Sequence, residues 1–311
     1  MSVQEQIDRI LREMESDGST HIFGEDAELD DLEFHEFEPM EGSAVAAVDG
    51  SSVMVEPYGG IKIAVIRAGY VVYERGERIG RNVSDMQVYR MDFRNSSDIY
   101  AEKYREILDA ETPELGETDP NYVMQRLRTL EEFRYMFMAL EELKEGDILL
   151  IDGALRGDRH TPDRGMALLS EMAQDRGVSL VGISKDSGIM HNGLPFVPQV
   201  DRLAEERFPR KRWYAKVLRR TSPGKEEIFV AKFNPYGEHA FRTDIISLET
   251  VSEVLGKVSW YASDIAYVGY PYPLADAHNE VIIRGGAAED IGYMVETDLP
   301  ERFHRKLDRG V

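Results

Sequence analysis

Two aspartates in this chain stand directly after a short apolar segment and directly before a glycine. Asp49 ends the segment AVAAVD and precedes GSS, and Asp152 ends ILLID and precedes GAL. Short apolar segments are typical of buried strands, and a carboxylate at a strand's carboxyl end faces the crevice where ligands bind in open α/β sheets. Two such carboxylates can converge on one cation, although an Asp-Gly pair after a strand is also a common turn. The two aspartates therefore predict a metal site that needs further ligands.

A third acid can come from the long helix predicted over residues 120–143. On a helical wheel, Glu131 lies at the edge of the apolar face, whereas Glu132 points well away from it. Glu131 is therefore the better candidate to reach inward, although a glutamate on a helix is most often solvated.

Three further residues have side chains that could assist phosphate chemistry. His278 and Tyr270 lie in the proline-rich segment GYPYPLADAH, and Lys185 lies in GISKDS, after the strand that follows Asp152. A neutral imidazole ligates metals or transfers protons near pH 7, a phenol orients water or phosphate, and an ammonium group neutralises a phosphate oxygen. Each of these residue types is more often structural or solvated, so none carries a function alone.

One stretch of the sequence, residues 201–225, is strongly basic. It holds nine Lys or Arg residues against three acids. Basic residues with embedded aromatics can follow a nucleic-acid backbone and stack on its bases, but a solvated hairpin explains the pattern equally well. The candidate DNA contacts are Arg210, Lys211, Arg212, Trp213 and Lys216.

Composition narrows the chemistry and the organisation of the chain. With 311 residues, 42% of them hydrophobic, the chain can bury a substantial core. It has no cysteine, so a metal must be held by oxygen and imidazole ligands, which favours magnesium or manganese. The net charge of -21 is unusual for a protein that binds a polyanion, but eleven acids and no Lys or Arg lie between Glu15 and Glu41. We therefore expect an acidic N-terminal arm (1–42), packed on the body or docking a partner, and a main domain (43–311).

The chain contains no signal for a membrane. No apolar run approaches the roughly 18 residues that span a bilayer, and the first residues lack the basic and then apolar pattern of a signal peptide. We therefore expect a cytoplasmic protein with no membrane partner.

Strand and helix signals alternate along the chain after an initial group of strands. Ala68-Gly69 suggests a tight hairpin between the second and third strands. An antiparallel start followed by alternating helices and strands predicts an α/β fold with a mixed sheet flanked by helices. The predicted elements are strands at 43–49, 61–66 and 70–74, helices at 97–108 and 120–143, a strand at 147–151, a helix at 161–177, a strand at 178–184, a hairpin of 212–219 with 226–233, a helix from 248, a strand at 265–270 and a helix after 273.

Four segments, AVDGSS, LEELKEGDILLIDGAL, GISKDS and GYPYPLADAH, together resemble the NurA family of archaeal and bacterial DNA repair nucleases. The resemblance spans most of the chain, and the segments follow one another in the family's order. It implies a ribonuclease H-like fold and a manganese-dependent 5'-3' exonuclease that is also an endonuclease on single strands. It further implies a homodimer with a central channel that works beside the hexameric translocase HerA in resection of double-strand breaks.

Carried over to this chain, the resemblance assigns a role to each candidate of the site. It makes Asp49 the first-strand metal ligand, Asp152 the second, and His278 the terminal-helix ligand or proton shuttle, with Tyr270 at the family's functional tyrosine. Of the two adjacent helical glutamates, Glu131 is taken on the helical-wheel argument. Two manganese ions, with magnesium as the alternative, would then activate a water and neutralise the leaving oxygen, and Lys185 would contact phosphate.

Two functions of other classes are compatible with the same residues. An Asp-Gly turn after the first strand also holds a metal-nucleotide in actin- and sugar-kinase-like ATPases, which normally add a second glycine-rich hairpin. LIDGAL is only a faint counterpart of that hairpin. A catalytically silent DNA-binding adaptor subunit would bind DNA and not cleave it.

Overall fold

The computed structural model describes residues 25–27, 29, 32–58, 61–113, 118–155, 161–185, 187–217 and 226–307. The chain divides into two compact units. Unit 1 comprises Met1–Gly42, Asp152–Arg156 and Ser179–Tyr272. Unit 2 comprises Ser43–Ile151, Gly157–Val178 and Pro273–Val311.

The described elements follow one another along the chain as alternating groups of strands and helices. They are β1 (Glu25–Asp26), β2 (Phe34–Glu36), β3 (Val45–Tyr58), β4 (Ile61–Glu74), β5 (Glu77–Val83), β6 (Gln87–Met91), α1 (Ser96–Leu108), α2 (Pro120–Glu142), β7 (Ile148–Asp152), α3 (Asp163–Arg176), β8 (Ser179–Ser184), β9 (Ile189–His191), β10 (Leu194–Pro195), α4 (Phe196–Arg207), β11 (Trp213–Lys216), β12 (Glu227–Lys232), β13 (Phe241–Ile246), α5 (Val251–Trp260), α6 (Tyr272–Val281) and α7 (Gly285–Leu307).

Unit 2 is built on a mixed sheet. Strand β3 pairs antiparallel with β4, the other edge of β4 pairs antiparallel with β5 and β6, and β7 pairs parallel with β3. Helices α1 and α2 cover this sheet with a core that includes Tyr100, Leu127 and Leu130 against Ile66. The expected α/β class, with antiparallel first strands in a mixed sheet flanked by helices, is confirmed.

Helix α2 begins and helix α3 ends where their signals predict. Asp119 caps α2 by accepting hydrogen bonds from the backbone N–H groups of Asn121 and Tyr122, and Pro120 occupies the first turn. Helix α3 ends at Gly177, whose φ of 66° is the left-handed conformation that glycine adopts at low cost. No helix among the described residues is long and apolar enough to cross a lipid bilayer.

The predicted ends of the first strands were wrong. Strand β3 does not stop at Asp49 but continues to Tyr58, because β4 runs beside it and pairs Asp49 with Gly69. The apolar pattern stops at Asp49 because the parallel partner β7 pairs with β3 only as far as Val48. Asp49 therefore marks the end of one strand partner and not the end of the strand.

Gly69 lies in mid-strand and does not form the predicted hairpin turn. A Cβ atom at this position would lie 2.7 Å from the carbonyl oxygen of Asn82 and 2.9 Å from the Cα atom of Val83. Both are backbone atoms of β5, which cannot yield as a flexible side chain would. Glycine is present here because the two strands approach closely.

Unit 1 contains an antiparallel run of strands in the order β2, β11, β12, β13 and β8. The predicted hairpin of β11 with β12 is confirmed. The described part of the acidic arm packs on this unit, since β2 pairs with β11 and both Leu32 and Phe37 are buried. Residues 1–24 of the arm lie outside the described residues.

The strand predicted at residues 265–270 was wrong, because this segment forms turns. The N–H of Tyr267 donates to the carbonyl of Asp264 at 3.2 Å, and that of Tyr270 donates to the carbonyl of Tyr267 at 2.9 Å. Gly269 has a φ of 91°, which interrupts extended backbone. The apolar residues that suggested a strand lie in a surface turn, in which Ile265 is exposed.

We predict that Gly69→Ala lowers the free energy of unfolding by about 1–3 kcal/mol, because the new methyl group overlaps the backbone of β5. Urea denaturation measures this change. Gly80→Ala is the matched control, since its Cβ would meet its nearest atoms at 3.6 Å, an ordinary contact. Equal stability of the two variants would contradict the close approach at Gly69.

Candidate active site

Asp49 is a buried carboxylate held by two donors within unit 2. It is 8% exposed. Its Oδ1 accepts a hydrogen bond from the backbone N–H of Gly50 at 2.7 Å, and its Oδ2 lies 2.7 Å from Nδ1 of His278, which donates to it. The His278 side chain is 52% exposed, so the pair joins a buried acid to a base that solvent reaches. With Nδ1 engaged by Asp49, proton transfer or metal ligation by His278 falls to Nε2.

Helix α6, which carries His278, is clamped to β4 and β5. The Tyr73 hydroxyl donates to Oδ2 of Asp276 at 2.7 Å. Arg78 reaches the same oxygen at 3.1 Å and Oε1 of Glu280 at 2.6 Å. Asp276 and Glu280 are four residues apart and share one face of the helix, and His278 lies between them on the other face. The clamp therefore sets the rotation of α6 that presents His278 to Asp49.

Glu132 of α2 lies against β3 at Gly50, the residue after Asp49. A Cβ atom on Gly50 would be 2.5 Å from Oε1 of Glu132, so any larger residue at position 50 would displace this carboxylate. Arg128 holds the same region, with Nη1 at 3.2 Å from Oε1 of Glu132 and at 3.3 Å from the carbonyl oxygen of Gly50. Gly50, the residue after Asp49, thus makes room for a second carboxylate against β3.

The expectation that Glu131 faces Asp49 is corrected by this geometry. Glu131 is buried, with 2% of its side chain exposed, and its Oε2 accepts a hydrogen bond from Nε of Arg134 at 3.0 Å. Arg134 also reaches Glu106 of α1 at 2.7 Å, so Glu131 belongs to the interface of α1 with α2. Helix α2 is covered both by the sheet and by α1, and a helical wheel cannot tell which neighbour a buried position faces.

Asp152, Lys185 and Tyr270 come together in unit 1, as three of the predicted site residues. Nζ of Lys185 lies 3.3 Å from Oδ2 of Asp152 and 4.5 Å from the centre of the Tyr270 ring. The carboxylate and the ring face both attract the ammonium group, and they fix its position. The Tyr270 ring is itself packed on Phe241, at 5.6 Å between centroids.

The basic segment differs from its predicted role. Trp213 is 1% exposed inside the core of unit 1. The prediction that it contacts DNA was therefore wrong. Lys211 pairs with Glu36 at 3.0 Å, and Lys216 pairs with Glu227. The Arg212 side chain donates to the carbonyl oxygen of Phe233 at 3.0 Å. Arg210 is also exposed, and its φ of 58° lies in the left-handed region.

The donor types at Asp49 fit a hard divalent cation. Two carboxylates and an imidazole are oxygen and nitrogen ligands of the kind that magnesium and manganese prefer. The described part of the chain nevertheless contains no group of three or more acids and histidines spaced to hold a metal ion. His278 and Asp49 are joined by a hydrogen bond. The described residues therefore include suitable ligand types, but they are not spaced as ligands around one ion.

Comparisons with known proteins identify the family whose pattern this chain follows. A family model described as the NurA domain matches residues 43–283, which confirms the resemblance of the four segments. None of the curated proteins compared with the chain matches it.

Solved structures share the fold at low sequence identity. The crystal structure of the NurA nuclease from Sulfolobus solfataricus matches with a TM-score of 0.57 and 15% identity, over 97% of this chain and 95% of that chain. A second NurA crystal structure matches with a TM-score of 0.50 and 11% identity, over 92% and 96% of the two chains. A crystal structure of NurA bound to dAMP and manganese has a TM-score of 0.48 and 11% identity, over 91% and 93%.

We predict that Tyr73 and Asp276 are energetically coupled by about 1 kcal/mol, the usual contribution of such a hydrogen bond. The coupling is measured by urea denaturation of Tyr73→Phe, Asp276→Ala and the double variant. Tyr73→Phe combined with Asp175→Ala, at an exposed aspartate of α3, is the control pair and should be additive. Additive effects in both pairs would exclude the clamp on α6.

Proposed function

This chain belongs to the NurA domain family, and from that premise we propose that it is a DNA nuclease whose activity depends on a divalent metal ion. The observation that carries the proposal is the buried carboxylate of Asp49, bonded to His278 at 2.7 Å and flanked by Glu132 at Gly50. A buried acid that shares its surroundings with a second acid and a histidine suits cation binding better than it suits a turn.

We propose that Asp49, Glu132, Asp152 and His278 hold the metal. Asp152 is included because the family resemblance makes it the second strand-end ligand. Glu132 takes the place that the sequence pattern assigned to Glu131.

The metal, when bound, would make a water more acidic and neutralise charge on the leaving oxygen of the phosphodiester. The chain's own residues supply the remaining tasks. Asp49 holds the imidazole of His278 through Nδ1, so Nε2 is the ring nitrogen that ligates the metal or, as the alternative, takes up and releases a proton. Lys185, fixed by Asp152 and Tyr270, brings a positive charge to a phosphate oxygen.

Manganese, with magnesium as the alternative, is the cofactor we propose, in two ions as phosphodiester hydrolysis commonly uses. The absence of cysteine from the sequence supports a hard cation held by oxygen and nitrogen. A DNA contact beyond the site would come from the exposed Arg210, since Trp213 is buried and both Lys211 and Lys216 are paired with glutamates.

The family resemblance supports finer proposals about the same activity. They are 5'-3' exonuclease action with endonuclease action on single strands, a homodimer, and a cytoplasmic role in end resection beside a HerA-type hexameric translocase. These proposals rest on the family and on no contact in this chain.

We predict cleavage of end-labelled single- or double-stranded DNA in manganese, and no cleavage in chelator. Asp49→Asn should lower the rate about 1,000-fold, or about 4 kcal/mol in activation free energy, because it removes the central anionic ligand. Asp175→Asn, at the exposed aspartate of α3, should cleave as the unmodified chain does. Retained metal-dependent cleavage in Asp49→Asn would disprove the site, and ATP turnover without cleavage would favour the kinase-like alternative.

We predict opposite behaviour for the two neighbouring glutamates of α2. Glu132→Gln should lower the cleavage rate about 100-fold, since it weakens a metal ligand. Glu131→Gln should cleave normally and lose about 1 kcal/mol of stability, because Arg134 keeps Glu106 as a partner. Steady-state cleavage rates and urea denaturation of both variants test this, and loss of cleavage in Glu131→Gln alone would reverse the assignment.

A further inference from the structure

A cavity of about 860 Å³ lies within unit 1, beside Lys185. Its walls come from helix α4 and from the loop at residues 233–240 that follows β12. The volume is within the range of small-molecule sites, roughly 300–1,000 Å³. Three prolines and a valine line it together with polar and charged groups.

The loop on one side of the cavity is rigid and presents an exposed aromatic ring. Oδ1 of Asn234 accepts a hydrogen bond from the N–H of Tyr236 at 3.0 Å, and Nδ2 of Asn234 donates to the carbonyl of Ala262 at 3.1 Å. Gly237 meets Gly269 so closely that a Cβ on Gly269 would lie 2.8 Å from the Cα of Gly237. Tyr236, which lines the cavity, is 79% exposed. A fixed loop thus places a large ring in water at the cavity, which is how a stacking platform is built.

The charges that line the cavity balance one another. Lys232, buried in its wall, binds both carboxylate oxygens of Asp201 at 3.1 and 3.0 Å and the carbonyl of Glu238 at 3.3 Å. With neutral histidine, the wall has as many cations as acids; they are Lys185, Arg202 and Lys232 against Asp201, Glu205 and Glu238. A formally neutral cavity with an aromatic ring fits an uncharged planar group better than a phosphate.

Lys185 connects the cavity to the proposed chemistry. Lys185 lines the cavity, and its ammonium group lies 3.3 Å from Asp152. A nucleotide whose phosphate lies at Lys185 therefore has a neutral, partly apolar space next to it for its base. We propose that the cavity binds the nucleobase of this nucleotide and that Tyr236 stacks on it. This inference rests on the proposed function, and because every base has a π face, the site accepts all four bases.

The test measures binding separately from cleavage. A fluorescein-labelled single-stranded DNA of 20 nucleotides is titrated with the full chain in calcium, and the Kd is read by anisotropy. Tyr236→Ala should raise the Kd about tenfold, within the range that loss of one stacked base produces. Tyr236→Phe keeps the ring and should restore the affinity. Phe93→Ala, which removes another exposed ring outside the cavity, is the matched control.

A second set of oligonucleotides identifies the base in the cavity. Each carries one abasic site at a different position. At one position the abasic site should weaken binding to the unmodified chain about tenfold and should not weaken binding to Tyr236→Ala further. Unchanged affinity of Tyr236→Ala, equal loss in Phe93→Ala, independent effects at every position, or no DNA binding at all would overturn the inference.

The outcomes separate the two proposals. If the chain cleaves DNA in manganese and Tyr236→Ala binds DNA as tightly as the unmodified chain, the nuclease proposal stands and the base site is disproved. If Tyr236→Ala weakens DNA binding but the unmodified chain does not cleave, the base site stands and the nuclease proposal is disproved.

Discussion

A buried carboxylate has to be met by donors or by a cation, because an ionised group without a partner is costly away from water. Asp49 is such a group, and the surrounding parts of unit 2 are arranged to meet it. The backbone of Gly50 and the imidazole of His278 each donate to one of its oxygens. The clamp from Tyr73 and Arg78 holds the helix that carries the histidine. Asp49 stands on the part of β3 that continues past its last pair with β7.

Two glycines leave the space that the surroundings of Asp49 require. At Gly50 the missing side chain leaves room for the carboxylate of Glu132, and at Gly69, the partner of Asp49 in β4, it lets β5 close against the sheet. A methyl group at either position would push against a catalytic candidate or against another strand. Two positions next to the acid that the sheet positions therefore leave little room for a side chain larger than glycine.

Part of this arrangement could be predicted from the sequence, and the rest depends on tertiary neighbours. The cap at Asp119 and the alternation of apolar segments are local signals, so helix α2 and the sheet class followed from them. Glu131 and Trp213 were misassigned because amphipathic patterns report burial and not the partner that buries a side chain. Gly69 was predicted to lie in a turn because, in a single sequence, a glycine required by closely spaced strands looks the same as a glycine in a turn.

The central claim is that a divalent cation binds at Asp49 in company with Glu132 and His278. A crystal of the chain equilibrated with manganese, with diffraction data collected at the manganese absorption edge, tests it most directly. The account predicts an anomalous difference peak within coordination distance of the Asp49 carboxylate, which disappears in Asp49→Asn. A saturated crystal whose manganese peaks all lie away from Asp49 would contradict it.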